Sequence, residues 1–148
     1  VFPADMPHAI SISATGPTNW AVDPTTDLDG LAIYSNFGRS GIDFAAPGGD
    51  YQSAFTPEGN QACSIAGTIV ICYAYDFVFS TGNAGWYWSV GTSMAAPHAA
   101  GIAALIIAEN GGDMHPAQVR AEMQRRSDDL GQPGNDPAFG NGRLSSGY

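Results

Sequence analysis

The chain has 148 residues, 44% of them hydrophobic and 11% aromatic, which suits one packed domain and not two. Its formal net charge is −9, and its five basic residues are all arginine, so its surface repels phosphate backbones and we expect no nucleic-acid partner. No apolar run reaches membrane-spanning length, so we expect no membrane partner either. The first three residues, Val1-Phe2-Pro3, are more typical of a cut end than of a signal peptide.

Short strands separated by loops are predicted for the first fifty residues. Residues 9–14 alternate apolar and small polar side chains and predict a strand, and residues 31–34 and 42–45 predict two more on either side of a turn at 36–41. Residues 16–30 are rich in Gly, Pro, Asn and Asp and predict a loop. A long excursion follows at about 51–88, which is aromatic and almost without charge.

The two cysteines flank a hairpin signature inside this excursion. If Gly67-Thr68 is a two-residue turn, Cys63 lies directly opposite Cys72 at a non-hydrogen-bonded site, where Cα atoms are about 4.5 Å apart. That separation is within disulfide range. The alternative is two buried free thiols. We predict the disulfide, and with it a secreted or cell-surface setting.

Two helices are predicted in the last third of the chain. Residues 92–109 are apolar nearly all round, so this helix should be buried on most sides and end at Gly111-Gly112. A second helix begins near His115-Pro116 and runs to about Arg126, and residues 131–142 predict a loop. The first helix should bury six small or branched residues: Ala95, Ala99, Ala100, Ile102, Ala103 and Ile106.

Ser93 lies at the start of the first helix, where backbone N–H groups have no partner within the helix. A serine that attacks a carbonyl there would bring the developing oxyanion to a free N–H group, and Gly91 allows close approach of a substrate. Pro97 costs the helix one backbone hydrogen bond, which a purely structural helix seldom accepts. The alternative is an ordinary helix cap provided by Thr92 or Ser93.

The string Gly-Thr-Ser-Met-Ala-Ala-Pro-His-Ala-Ala-Gly at 91–101 closely resembles the nucleophile motif of the subtilisin-like serine proteases, the subtilase family. Four other segments resemble motifs of the same family, in the same order along the chain. They are Ile-Ser-Ile-Ser-Ala at 10–14, Tyr-Ser-Asn-Phe-Gly at 34–38, Ile-Asp-Phe-Ala-Ala-Pro-Gly at 42–48 and Gly-Asn-Gly-Arg-Leu at 140–144.

This resemblance implies a subtilisin-like three-layer α/β/α fold with a mostly parallel sheet. Residues 1–148 would be the C-terminal part of one catalytic domain, with an insert at about 51–88. Ser93 would be the nucleophile of a serine endopeptidase and would donate one oxyanion N–H. The family's catalytic Asp, catalytic His and oxyanion Asn belong to motifs that are absent from this chain.

Without those residues the isolated chain should be nearly inactive, because a serine without a base is a poor nucleophile. The expected partners are the N-terminal half of the same domain and a protein or peptide substrate. The competing interpretation is a non-catalytic subtilase-like module that binds peptides or partners. His98 matches the family's helix histidine, which is not the catalytic base, and Asn83 follows the Ala-Pro-Gly segment, which is the wrong order for the oxyanion donor.

No cofactor is required by this interpretation, although a structural calcium ion is one expectation. Asp43 matches a position that helps to bind a weakly held cation in some family members, together with backbone carbonyls from 4–9. The alternative is a strand-end carboxylate that accepts turn amides. The acidic spacing of Asp23, Asp27 and Asp29 is compatible with a calcium loop or with a solvated turn.

Overall fold

The computed structural model describes residue 4, residues 6–38 and residues 41–147. The chain divides into two compact units. The first comprises Val1–Ser13, Asn36–Ala46 and Ala95–Tyr148, and the second comprises Ala14–Ser35 and Pro47–Met94. The predicted cut end at 1–3, part of the predicted carbonyl segment at 4–9 and part of the predicted turn at 36–41 lie outside the described residues.

The strands β1 (Ile12–Thr15) and β2 (Phe44–Pro47) form a two-stranded sheet. The Asp43 N–H donates to the Ser11 carbonyl at 3.0 Å, and the Gly48 N–H donates to the Thr15 carbonyl at 2.8 Å. Both chains therefore advance in the same direction along the pair, which is the parallel arrangement. The strands predicted over 9–14 and 42–45 are the right segments, but each begins two or three residues later than expected.

The strand predicted over 31–34 is wrong. Leu31 forms one isolated antiparallel bridge with Thr15, and the chain then turns. The Ile33 N–H donates to the buried carboxylate of Asp50 at 3.1 Å, and the Ser35 N–H donates back to the Ala32 carbonyl at 2.8 Å. These bonds outweigh the local strand propensity, which is a weak determinant next to tertiary contacts.

Two antiparallel hairpins make up most of the excursion at 51–88. The first pairs β3 (Ala62–Ile65) with β4 (Thr68–Ile71), and the second pairs β5 (Val78–Gly82) with β6 (Gly85–Ser89). Short 3₁₀ helices precede each hairpin, at Gln52–Phe55 and Cys72–Asp76. The second hairpin was not predicted, although its aromatic and β-branched residues are typical of strands.

The disulfide between Cys63 and Cys72 is confirmed, with Cα atoms 4.8 Å apart. The hairpin register differs from the prediction, because Cys63 faces Val70 and the turn residues are Ala66 and Gly67. Both turn residues have positive φ, 50° and 80°, as a type I′ turn requires. The predicted Gly67-Thr68 turn is wrong by one residue, because Ala66 and Gly67 adopt the two positive φ values of a type I′ turn and Thr68 pairs with Ile65 in the ladder. Cys72 reaches its partner diagonally, from the start of a 3₁₀ helix.

The helix α1 spans Thr92–Glu109, as predicted, and contains Pro97. Gly111 and Gly112 have φ of +87° and +86°, and the Gly112 N–H donates to the Ile107 carbonyl at 2.9 Å. Left-handed residues of this kind end a helix and satisfy its last carbonyls, and glycine adopts them without a steric penalty.

The predicted burial of α1 is only partly correct. Ala95, Ala99 and Ile106 are buried, Ile102 and Ala103 are half-buried, and Ala100 is exposed. Only 17% of the residues of α1 are buried within this chain, so the expectation that the helix is buried on most sides is wrong. Because α1 is apolar nearly all round, the packing in the first unit covers one side and leaves another apolar side open.

By length and composition alone, α1 is long and apolar enough to cross a membrane, with 18 residues and a mean hydropathy of 1.2. The expectation that no run reaches that length is therefore wrong for this segment. One such helix is weak support for a membrane span, because core helices of folded domains pass the same test.

The helix α2 spans Pro116–Arg125 and begins where the sequence predicts. The His115 side chain caps it: its Nδ1 accepts the Ala117 N–H at 3.2 Å, and its own N–H donates to the Gln118 side chain at 3.0 Å. Val119 and Met123 are buried on the inner face of α2. They belong to the core of the first unit, which also contains Phe44, Ala99, Ile106 and Leu144.

Candidate active site

Ser93 is the second residue of α1 and is exposed. Its backbone N–H lies in the first turn, so it has no carbonyl partner within the helix, and the positive end of the helix dipole points the same way. An oxyanion formed by attack of the Ser93 hydroxyl would therefore meet a polarised donor on the same residue. This is the arrangement that the sequence predicts for Ser93.

Gly91 leads the chain into α1 with φ of +151°, in the region that favours glycine. Its carbonyl accepts the Met94 N–H at 2.9 Å, and its N–H donates to the Gly48 carbonyl at 3.0 Å. The segment before Ser93 is thus tied to the Pro47-Gly48-Gly49 turn, within the second unit.

Gly48 is closely surrounded in the second unit. A Cβ atom on it would lie 2.6 Å from the Ala14 Cβ, 2.8 Å from the Gly91 carbonyl oxygen and 3.0 Å from the Tyr34 hydroxyl. The sequence shows Gly48 in the Ala-Pro-Gly segment but does not connect it with Gly91. The glycines at 48 and 91, both of which precede Ser93, are the one signal that could have indicated this contact.

The Tyr34 hydroxyl holds the same turn. It lies 3.0 Å from the Gly48 carbonyl oxygen and 2.7 Å from that of Gly49, so it donates to one of them at a time. Burial raises the pKa of Tyr34, and the nearby Asp50 carboxylate raises it further. The hydroxyl therefore stays protonated at neutral pH and remains a donor.

Two buried carboxylates anchor the loops around this turn. Asp76 accepts the N–H groups of Asn19 and Trp20 at 2.8 and 2.9 Å and also the Ser53 hydroxyl. Asp50 accepts N–H groups from Ile33, Tyr51 and Gln52 at 3.1, 2.7 and 3.1 Å. Burial raises the pKa of Asp50 despite these bonds, because the charged form is desolvated. Sequence reasoning assigned no role to either residue.

The two helices carry His98 and His115. His98 lies five residues beyond Ser93 on α1, which is about 140° around the helix and about 7.5 Å along it. His115 caps α2 through its Nδ1, which is a structural role. Neither observation indicates that one of these two residues is a base for Ser93.

Asn83 lies at the tip of the β5–β6 hairpin, beyond the Gly82–Gly85 pair. The opposite end of that hairpin, at the Val78–Ser89 pair, leads into Gly91 and Ser93. A five-residue strand is about 13 Å long between its ends, so the hairpin directs Asn83 away from the serine. The position of Asn83 does not favour a role as oxyanion donor.

Asp43 lies in the first unit, and its carboxylate is engaged on both oxygens. Oδ1 forms an ion pair with Arg120, and Oδ2 accepts the Ser11 N–H at 2.9 Å. Calcium takes six to eight oxygen ligands, and a guanidinium beside its carboxylate would repel it. These residues therefore fit a resident calcium ion poorly.

The acidic residues Asp23, Asp27 and Asp29 do not converge on a common point. Asp23 accepts the N–H and hydroxyl of Thr25 at 2.9 and 2.6 Å, and Asp27 accepts the Asp29 N–H at 2.9 Å. These are local turn bonds. Among residues 4, 6–38 and 41–147, no three His, Cys, Asp or Glu side chains gather as a metal site.

The subtilase family profile matches residues 1–142 of the chain. Alkaline serine exoprotease A of Vibrio alginolyticus is 34% identical over 114 residues, and the cell wall-associated protease of Bacillus subtilis (strain 168) is 30% identical over 126 residues. These matches cover 77% and 85% of this chain but only 16% and 11% of the two relatives. The crystal structure of a lanthipeptide protease matches with a TM-score of 0.71 and 27% identity, covering 98% of this chain and 41% of that one.

The chain therefore belongs to the subtilase family, a family of serine proteases. The predicted α/β fold class is confirmed, because the structural neighbours are subtilisin-like proteases and the chain has the helices and small sheets of part of such a domain. The chain spans less than half the length of the relatives and the solved chain it matches.

Proposed function

We propose that this chain is the nucleophile-bearing part of a serine endopeptidase. The observation that carries the proposal is the exposed Ser93 at the N-terminus of α1, in a chain that belongs to the subtilase family. The Ser93 oxygen would attack the carbonyl carbon of a peptide bond and form an acyl-enzyme, and water would then release the acyl group. The Ser93 N–H would stabilise the oxyanion in both steps.

The base for this reaction must come from outside the chain. A His of the N-terminal half would take the Ser93 proton and later give it to the leaving amine, and an Asp of that half would orient the His. An Asn of the same half would be the second oxyanion donor. The isolated chain would therefore be nearly inactive.

The open apolar side of α1 supports the N-terminal half as the partner. Ala96 and Ala100 are exposed, and they line a groove of about 200 Å³ in the first unit together with Ile10, Ile12 and Met123. A contiguous exposed apolar surface often marks a site where another segment or partner packs. The N-terminal half of the same domain is the occupant that the family membership favours.

The substrate would be a protein or peptide, and no cofactor is needed for acyl transfer through Ser93. A secreted or cell-surface location is supported by the Cys63–Cys72 disulfide, since such bonds persist in oxidising compartments. The printed name of the Bacillus subtilis relative, a cell wall-associated protease, agrees with this location.

A fluorophosphonate probe tests the proposal on the full-length protein that contains this chain. We expect labelling of the full-length protein, loss of labelling in Ser93→Ala, and normal labelling in the control Ser80→Ala, which removes an exposed hydroxyl from β5. We expect the isolated chain to react poorly, with recovery when the N-terminal half is added. Labelling of Ser93→Ala at the wild-type rate would refute Ser93 as the nucleophile.

A second candidate is a non-catalytic module that binds peptides or partners. The observation in its favour is the exposed aromatic surface of the β5–β6 hairpin, where Phe79 and Trp86 are stacked with centroids 5.3 Å apart and are 52% and 69% exposed. A His-Gly-Thr-His motif upstream in the same gene product would favour the enzyme. A full-length protein that binds peptides but shows no Ser93 labelling would favour the binding module.

A further inference from the structure

The first unit contains a cavity of about 290 Å³ beside Asp43. Ala4, Met6, Pro7 and Ala9 line it together with the charged residues Asp43 and Arg120. Carbonyl oxygens and one carboxylate are ligands that hard cations prefer. The family resemblance predicts a weakly held cation at this place.

The Arg120 side chain places a positive charge at this cavity. Its guanidinium pairs with Asp43 Oδ1, while Oδ2 accepts the Ser11 N–H at 2.9 Å. The two side chains are 46% and 23% exposed, so solvent reaches the pair from the Arg120 side. Each carboxylate oxygen therefore already has a partner, and the guanidinium beside Oδ1 would repel a metal ion that approached the remaining lone pairs.

The fold holds Arg120 in this position. It lies between Val119 and Met123 of α2, both of which are buried in the core of the first unit. The His115 cap sets the start of the same helix five residues earlier. Because helix side chains at neighbouring positions point in different directions, burying Val119 and Met123 leaves Arg120 directed along the border of the cavity.

We propose that Arg120 takes the place of the metal ion at Asp43, so that this chain carries its own cation there and gains no stability from calcium at that carboxylate. Removal of the guanidinium leaves the Asp43 carboxylate without its counter-charge in a cavity otherwise lined by uncharged residues, and such a cavity should accept calcium.

The test measures the melting temperature of the full-length protein with about 10 mM calcium chloride and in sodium chloride of matched ionic strength. The variants are Arg120→Gln, Asp43→Asn, the double variant, and the control Arg125→Ala, which removes an arginine paired with Glu122 on the same helix. A calcium site with a dissociation constant of about 1 mM would raise the melting temperature by roughly 3–6 °C.

We expect that calcium shifts the melting temperatures of the wild type, Asp43→Asn and Arg125→Ala by the same amount, whatever other calcium sites the full-length protein has. We expect a larger shift in Arg120→Gln, and the loss of that excess in the double variant. Arg120→Lys keeps a positive charge and should behave like the wild type, which separates the charge from the shape of the side chain.

Two results would overturn the proposal. If Asp43→Asn removes part of the calcium shift of the wild type, Asp43 binds calcium in the presence of Arg120. If Arg120→Gln folds and shows no excess shift, the cavity is not a cation site in either form. If Arg120→Gln does not fold, the comparison of the wild type with Asp43→Asn still tests whether Asp43 binds calcium in the presence of Arg120.

Discussion

Substitution of Gly48 by alanine would test how the chain positions Ser93, the proposed nucleophile. Gly48 accepts the Gly91 N–H at 3.0 Å, and Gly91 leads directly into Ser93. An added methyl group would lie 2.6 Å from the Ala14 Cβ and 2.8 Å from the Gly91 carbonyl oxygen. Both neighbours belong to the backbone or directly adjoin it, so neither can swing away.

The size of the effect follows from these distances. Carbon atoms pack at about 3.5–4.0 Å, so the Gly48–Ala14 contact would have to open by roughly 1 Å and the contact with the Gly91 carbonyl oxygen by roughly half as much. Overpacking of this kind costs about 1–3 kcal/mol of unfolding free energy. In a domain of 150–250 residues this lowers the melting temperature by roughly 2–12 °C, and in a longer protein by less. A displacement approaching 1 Å at the reacting group can also reduce the rate by up to about 100-fold.

The assay is the rate of fluorophosphonate labelling at Ser93 in the full-length protein, together with its melting temperature. Gly85→Ala is the matched control, because no atom lies within 4 Å of a Cβ atom at that position. We expect Gly48→Ala to label about 100-fold more slowly and to melt earlier, and Gly85→Ala to resemble the wild type. Labelling of Gly48→Ala within about twofold of the wild type would refute the idea that this contact positions Ser93.

Three further predictions concern the stability of the full-length protein. Replacing Cys63 and Cys72 with alanine should lower the unfolding free energy by on the order of 2–3 kcal/mol, because the bridge closes a loop of about ten residues; thiol titration of the native protein should find neither cysteine free. Because the pKa of Asp50 is raised in the folded state, the folded protein binds a proton at Asp50 more tightly than the unfolded chain does. The stability that comes from this protonation is present below pH 3.8 and is lost as the pH rises through the pKa of the folded state. The wild type minus Asp50→Asn difference in melting temperature should therefore decrease from acid to neutral pH, and a constant difference would contradict this reasoning. His115→Ala should cost about 0.5–2 kcal/mol by removing the α2 cap, and His115→Ser should restore most of it, as measured by urea denaturation.

Interactions between residues close in sequence were sufficient to predict several elements. The limits of α1 followed from an apolar run that ends at Gly111-Gly112, and the start of α2 followed from Pro116. The Cys63–Cys72 bridge followed from a short hairpin between two cysteines. The place of Ser93 at a helix N-terminus followed from the nucleophile motif. In each case the deciding interactions lie within about ten residues along the chain.

Tertiary structure decided what depends on residues far apart in sequence. The expected strand at 31–34 is a turn because the Asp50 carboxylate, 17 residues away, binds the Ile33 N–H. The pairing of Asp43 with Arg120 spans 77 residues and is not visible in either segment alone. Ala100 is exposed because the burial of an apolar helix depends on which neighbours pack against it. Local propensity and motif specify where elements lie and which residue is the candidate nucleophile, whereas contacts between distant segments specify which faces are covered and which charges are paired.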